Sequence, residues 1–334
     1  MSSDETRSSL RPPRRAVLAG LGASLAAPAL AQSAWPAARP IRFIVPFGTG
    51  GSTDVIARVI AERVGAAIGQ TLVVENRPGA GSTLGTGVVA DAEPDGYTLL
   101  CTVISALSVG STLYRGRLNW DADRSFAHIA MILRTPYALM ANPRAAFSDV
   151  PGLVAAARRE RGSIAYATSG VGSISHLTML RFARAADIEL EHIAYRGGGA
   201  AVTDAMAGVV PLVLDGLAAN VPQLRGGQLR ALAMTSAARI AEFPDVPTLV
   251  EQGFPGLVVE GWAGLAAPAR TPRPILERLA AATREAMAQP EIAARYRQAS
   301  SLPGELFLDD MQAFVRRDVE LWAPIVEASG ARVE

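Results

Sequence analysis

Residues 41–53 read IRFIVPFGTGGST, and the rest of the chain is organised around them. Ile41 to Val45 is a short apolar run closed by Pro46, the pattern of a buried strand. Gly48, Gly50 and Gly51 then give the backbone unusual freedom. Ser52 or Thr53 can cap a helix, with Asp54 in its first turn. Val55, Ile56, Val59, Ile60, Val64 and Ile68 recur at helical spacing. Strand, glycine loop and helix in that order aim backbone N–H groups into a crevice at the strand's carboxyl end, where an anion can sit. The same glycines also suit a plain tight turn. Phosphate-loop chemistry is not indicated, because no Gly-Lys-Ser/Thr follows. The second glycine cluster, GAGSTLG at 79–85, has the spacing GxGxxxG rather than the dinucleotide GxGxxG.

Residues 1–31 read as a secretory signal. Arg7, Arg11, Arg14 and Arg15 precede an apolar stretch over 16–31 that ends in Ala29-Leu30-Ala31, a cleavage pattern. The stretch is too short and too rich in small residues for a membrane anchor. Arg14-Arg15 suits the twin-arginine route as well as general secretion. Removing the segment takes the formal charge from +1 to −1, which gives no electrostatic case for nucleic acid. The single cysteine, Cys101, rules out an intrachain disulfide and a thiolate cluster, and its apolar surroundings read as a buried small hydrophobe. His128, His176 and His192 are widely spaced and lack HExxH, so a metal site is not expected.

From residue 41 the chain alternates strand and helix up to a third strand near 97–102, a start that favours a parallel sheet with helices on both faces. Strand segments at 129–133 and 137–140, joined through Thr135-Pro136, lead into a second α/β series over 149–234. The tail holds an apolar strand near 258–266, helices over 272–288 and 291–299, and a long last helix over 308–328. The residues alone do not say which lobe the tail joins.

Two further loops sit between a strand and a helix. Thr168, Ser169, Ser173 and Ser175 supply hydroxyls beside Gly170 and Gly172, which suits a carboxylate bound without a formal positive charge. Ordinary capping by Ser173 accounts for the same residues. Tyr195, Arg196 and three glycines form the other loop, and Asp215 closes the apolar run 210–214. There is no GxSxG elbow. A hydrolase reading would require Ser105 or Ser173 to meet His176 and Asp215.

Taken in order, the blocks RPIRFIVPFGTGGSTDVIARVIAERV, VVENRPGAGSTLGTGVVADAEPDGYTLL, SIAYATSGVGSISH, HIAYRGGG, GQLRALAMTSAAR, FPDVPTLVEQG and FVRRDVELWAPIVEASG resemble the Bug/TctC family, the extracytoplasmic solute receptors of tripartite tricarboxylate transporters. The resemblance spans roughly 38–331. It implies a type II periplasmic-binding-protein fold, a Venus flytrap of two α/β lobes with a ligand cleft between them. One lobe would hold 38–137 plus 236–334 and the other 138–235, with crossings near 136–141 and 234–237. It further implies a periplasmic protein that captures a small carboxylate-containing ligand without catalysis or cofactor and delivers it to a two-component membrane permease. Presentation to a periplasmic signalling partner is the alternative, and a cleft hydrolase the lesser one.

Carried onto this chain, the family's ligand groups fall on Phe47, Gly48, Thr49, Gly50, Gly51 and Ser52 in one lobe and on Thr168, Ser169, Ser173 and Ser175 in the other. Asp215 matches an acid that can meet an amino or hydroxyl group, while Tyr195 and Arg196 match the usual Tyr-Lys. Thr102 and Ser105 belong to a loop more apolar than the family's, and Val171 and Gly216 stand where Asn is common. Fewer polar groups favour an organic acid with an apolar or aromatic portion over citrate, whose unpaired carboxylates would be costly to bury.

Overall fold

The computed structural model describes residues 35–49, 52–195, 197–298 and 300–332; the signal read at 1–31 lies outside them. The opening unit forms as its pattern requires. β1 (Ile41–Val45) has Ile41, Phe43, Ile44 and Val45 fully buried. α1 (Ser52–Ile68) turns Ile56, Ile60, Val64 and Ile68 into the same core, a stripe at helical spacing. Val55, counted in the stripe from sequence, is instead 42% exposed, and Ala57 and Ala61 complete the buried face.

β2 (Leu72–Asn76), α2 (Thr83–Ala90) and β3 (Thr98–Val103) follow. β1 pairs in parallel with both β2 and β3. The irregular stretch after β3 contains a π-helical turn, Ser105–Gly110. β4 (Phe126–Ala141) is one unbroken strand of 16 residues; the join read at Thr135-Pro136 is no interruption. Up to Pro136 it pairs antiparallel with β9 (Glu260–Pro268). From Tyr137 it pairs with β7 (Leu212–Gly216) and, from Ala138, with β8 (Arg230–Met234). A proline is tolerated there because its missing N–H falls where the strand exchanges partners.

The second series comprises α3 (Val150–Arg159), β5 (Ala165–Thr168), α4 (Ile174–Ala186), β6 (Glu191–Ala194), α5 (Gly198–Ala207) and α6 (Leu217–Arg225). β5 pairs in parallel with β6 and β7. The two sheets therefore repeat one order, β2-β1-β3-β9-β4 and β6-β5-β7-β4-β8, each with three parallel strands and one antiparallel strand beside the third. This is the type II periplasmic-binding-protein fold of two α/β lobes, with β4 belonging to both sheets.

The tail closes the first lobe. β9 inserts between β3 and β4; α7 (Arg273–Met287) packs on α1, α8 (Pro290–Gln298) adds Ile292 and Tyr296 to that core, and α9 (Asp309–Ala328) buries Met311, Val315, Trp322 and Val326. Residues 236–258, which the resemblance assigned to the first lobe, pack with the second: Ile240, Leu249 and Leu257 lie in its cores. The return passes at Val259, whose N–H donates to the Thr235 carbonyl at 2.9 Å just before β9 begins.

Residues 302–308 run along the free edge of β4, bonded through Met131 N to Leu306 O, Arg134 N to Leu302 O and Leu308 N to Ile129 O, and so cover an edge that would otherwise be open. A Cβ at Gly304 would lie 2.2 Å from the Met131 carbonyl oxygen. Gly304→Ala is therefore expected to push this edge cover away and to lower the unfolding free energy by about 1–3 kcal/mol. Urea unfolding monitored by tryptophan fluorescence measures it, and an unchanged midpoint would show that the close approach is not needed.

Candidate functional site

β1, β5 and β7 all end at one cavity of about 320 Å³ between the two sheets, and the helix after each begins there, the expected place for a ligand in parallel α/β sheets. β1 leads through Phe47 to α1, whose Thr53 is in the wall. β5 leads through Ser169 and Ser173 to Ile174 of α4. β7 leads through Asp215 and Gly216 to Ala218 and Ala219 of α6. Each helix start leaves N–H groups without an intrahelical partner and carries a partial positive charge. Val103, Ile104, Ser105, Leu133 and Thr135 line the rest with Tyr137, Gly261 and Trp262. Asp215 is the one charged side chain among the described lining residues. A larger surface groove of about 610 Å³ runs along the α1–β2 edge, but no helix starts converge on it.

The serine loop is held by its own hydroxyls. Ser173 donates to the Gly170 carbonyl at 2.7 Å and accepts from His176 N at 3.2 Å, which caps α4. With that hydrogen committed, the 3.0 Å bond between Ser173 and Ser175 is donated by Ser175. Ser175 accepts from Ser169 N at 3.2 Å and lies 3.1 Å from the Ser169 hydroxyl. By the same accounting the Ser169 hydroxyl donates to Ser175, and redirecting that hydrogen to a ligand would leave the Ser173 cap intact. The loop therefore carries an ordinary cap, and it places Ser169 and Ser173 in the cavity wall.

Behind it, the His176 and His192 rings stack at 4.0 Å, and Tyr166 covers the far face of His192 at 5.0 Å. His176 Nδ1 accepts from Gly172 N at 3.1 Å, so that nitrogen carries no proton. Burial, with His192 adding to it, pushes the His176 pKa down to about 4. Burial lowers that of His192 as well. Neither imidazole lines the cavity, so Ser105, Ser173, His176 and Asp215 do not assemble as a hydrolytic site.

On the β7 side, Asn220 Nδ2 donates to Asp215 Oδ2 at 2.8 Å and to the Gly216 carbonyl at 2.7 Å. A Cβ at Gly198 would lie 2.5 Å from Asp215 Oδ1, so a glycine lets the start of α5 close on this carboxylate. Burial raises the Asp215 pKa, opposed by the Asn220 and Gly216 hydrogen bonds. The Tyr137 hydroxyl is also pushed up, by burial and then by the nearby Asp215 charge.

The structure brings Phe47, Ser105, Ser169, Ser173 and Asp215 together in the cavity wall. Gly48 and Thr49 are exposed and do not line it. Thr102 is fully buried against Gly264, because alternate residues of β3 face opposite ways and Val103 takes the cavity side. Thr168 is buried and bonded to His192 Nε2 at 2.7 Å, and Ser175 is buried within the serine network. The Tyr195 hydroxyl donates to Asp204 at 2.8 Å. Gly50, Gly51, Arg196 and the Ser52 side chain lie outside the described residues. The sequence reading missed Thr53, Tyr137 and Trp262. Pro136 at the crossing was the available signal for Tyr137; Trp262 has none, since its place depends on β9 returning from the tail. Among the described residues no three His, Cys, Asp or Glu side chains are grouped to hold a metal ion.

The model of the Tripartite tricarboxylate transporter family receptor matches residues 56–331. Protein BugT of Bordetella pertussis is 34% identical over 313 residues, covering 93% of this chain and 95% of BugT. A solved structure described as a periplasmic transporter superposes with a TM-score of 0.79 at 32% identity, over 90% of this chain and all of that one. The R. palustris protein Rpa4515, solved with adipate, gives 0.78 at 29% identity over 90% of this chain and all of its own. Family model, full-length relative and fold agree, and the chain belongs to the receptors of the tripartite tricarboxylate transporter family, periplasmic solute-binding proteins that capture a small carboxylate for a membrane permease.

Proposed function

We propose that the cleft seats one small organic acid with its carboxylate against the starts of α1 and α4 and its apolar or aromatic portion against Phe47, Leu133, Tyr137 and Trp262. The observation that carries this reading is the convergence of three helix N-termini on a wall with no cationic side chain among its described residues. Such a wall binds an anion through N–H and hydroxyl donors. It offers few partners for a second or third carboxylate deep in the cleft, and an unpaired one would be costly to bury. The adipate held by the relative Rpa4515, two carboxylates spaced by an apolar chain, is chemistry this wall could take with one end outward. Asp215 would receive a hydroxyl or amino group. By the family resemblance, Gly48, Thr49, Gly50, Gly51, Ser52 and Arg196 would complete the seat.

Closure would rotate the lobe built on the β1 sheet, residues 38–136 and 259–332, against 137–258. The bend would be taken up where β4 changes partners and where the chain returns at Val259. The closed form would dock on a two-component permease.

Native mass spectrometry of the protein taken from its own periplasm tests the class of ligand: a released carboxylic acid that rebinds one site is expected. Tight citrate binding with no monocarboxylate binding would sink the apolar reading.

Ser169→Ala should weaken carboxylate binding about tenfold, the loss of one hydrogen bond to a charged group, with stability nearly unchanged. Ser173→Ala should weaken it similarly and also cost about 1 kcal/mol of stability as a lost cap. Calorimetric titration beside urea unfolding separates the two, and equal destabilisation by both variants would argue against the assignment.

Because the folded pKa of His176 is lowered from 6.5 to about 4, the unfolded chain takes up this proton first. Stability is whole above pH 6.5 and falls as pH drops towards 4. His128, buried with its pKa also near 4, adds to the same fall. His176→Gln is expected to flatten the loss of unfolding free energy between pH 6.5 and 4 without abolishing it; an unchanged slope would mean that His176 does not titrate as its burial requires.

A further inference from the structure

Trp262 is the largest side chain in the cleft wall, yet its indole N–H faces away from the cavity. Nε1 donates to Asp318 Oδ2 on α9 at 2.8 Å. The same oxygen accepts from the Ser108 hydroxyl at 2.5 Å, and the Trp322 side chain donates to this carboxylate too. Phe314, one turn earlier on α9, meets the Trp262 ring edge-on at 5.5 Å and 79°. Asp318 thus gathers donors from β9, from the π-helical turn after β3 and from its own helix. Two of those elements carry cleft wall: β9 bears Gly261 and Trp262, and the turn begins at Ser105.

A buried indole N–H finds an acceptor. Were it turned inward, that acceptor would be the ligand, and the wall would gain a donor suited to a second carboxylate. With the N–H committed to Asp318, the indole offers the cavity only ring carbon. We propose that Asp318 is a positioning residue that sets ligand selectivity: it holds Trp262 with its N–H withheld, so that this side of the cleft accepts an apolar flank and rejects a second charge. The proposal deepens the carboxylate-receptor reading and rests on it for the ligand class.

The test is calorimetric titration with benzoate, one carboxylate on an apolar ring, and succinate, two carboxylates on a short chain. The unmodified protein should prefer benzoate. Asp318→Leu should cut the benzoate-to-succinate affinity ratio about tenfold, within the usual coupling between contacting residues. The near-isosteric Asp318→Asn should lose part of it. In a Trp262→Phe background, which has no N–H to release, Asp318→Leu should leave the ratio unchanged. An equal fall in both backgrounds, or no fall in either, overturns the proposal.

Should Asp318→Leu fail to fold, Asp318→Asn carries the same two-background comparison. Nitrogen-15 NMR of the unmodified protein gives a readout that needs no variant: the Trp262 indole N–H should resist solvent exchange and keep its shift when benzoate is added. Free exchange, or a large shift marking a new bond to ligand, overturns the proposal. If neither probe binds, the proposed acid with an apolar flank is refuted, and indole exchange alone then decides whether Asp318 holds Trp262.

Discussion

Thr235 ties together the backbones that pass between the two lobes. Its N–H donates to the Tyr137 carbonyl at 3.0 Å, and its hydroxyl oxygen accepts from Tyr137 N at 2.9 Å. The same hydroxyl donates to the Val259 carbonyl at 2.5 Å, and Val259 N returns a bond to the Thr235 carbonyl at 2.9 Å. The side chain is fully buried. β4 as it changes sheets, the end of β8 and the approach to β9 are thus fixed at one residue, and the geometry of the cleft follows. With β4 shared, the carboxyl ends of β1, β5 and β7 are brought to one cavity, and their helices point their N-termini into it. A junction this narrow also confines any rotation to a few backbone dihedrals beside Tyr137 and Val259, so each lobe can move as a packed body.

The electrostatics of the cavity follow from the same arrangement. Among the described residues, helix starts and serine hydroxyls supply the cavity with partial positive charge, and no cationic side chain lines it. The serine loop is closed by internal bonds and braced by the His176–His192–Tyr166 stack, which fixes its conformation at the cavity wall. Bracing through neutral rings has a consequence: His176 must present a bare Nδ1 to Gly172, and acid removes that acceptor. Asp215, the one charged group described in the wall, is held by Asn220 and by the close approach of Gly198, which fixes its orientation towards the cavity.

The local grammar of the chain carried most of the fold. Strand, glycine loop and helix at 41–68 were legible because buried positions recur at the right spacing, and Ser173 declared itself as a cap. Long-range pairing was not legible. Nothing in EGWAGLAAP at 260–268 says that it inserts between β3 and β4, and so nothing marked Trp262 as cleft wall. Residues 236–258 carry no pattern that chooses one core over the other; they join the second because Leu249 and Leu257 find its apolar face. Thr102 and Val103 differ by one step along a strand, and only the pairing with β9 fixes which of them looks into the cavity. Thr168 and Ser175 were chosen for their hydroxyls, and those hydroxyls are spent on neighbours, as buried polar groups must be.

The C-terminal helix links these observations. Through Asp318 it holds Trp262 in the first lobe's wall. Four residues later Trp322 lies under the Arg181 guanidinium of α4, 5.7 Å from the ring centre, and Arg181 Nη2 reaches the Gly256 carbonyl at 2.5 Å. α4 is the helix whose start carries the serine loop. One face of α9 therefore touches the aromatic wall of one lobe, and the next turn touches the helix that opens with the serine loop of the other. Arg181 lies across the boundary between lobes and has no acidic partner among its described contacts. What holds it to Trp322 is a cation–ring contact, which tolerates sliding better than a directional ion pair does. The two lobes therefore meet at α9 through a cation–ring contact as well as at the Thr235 junction.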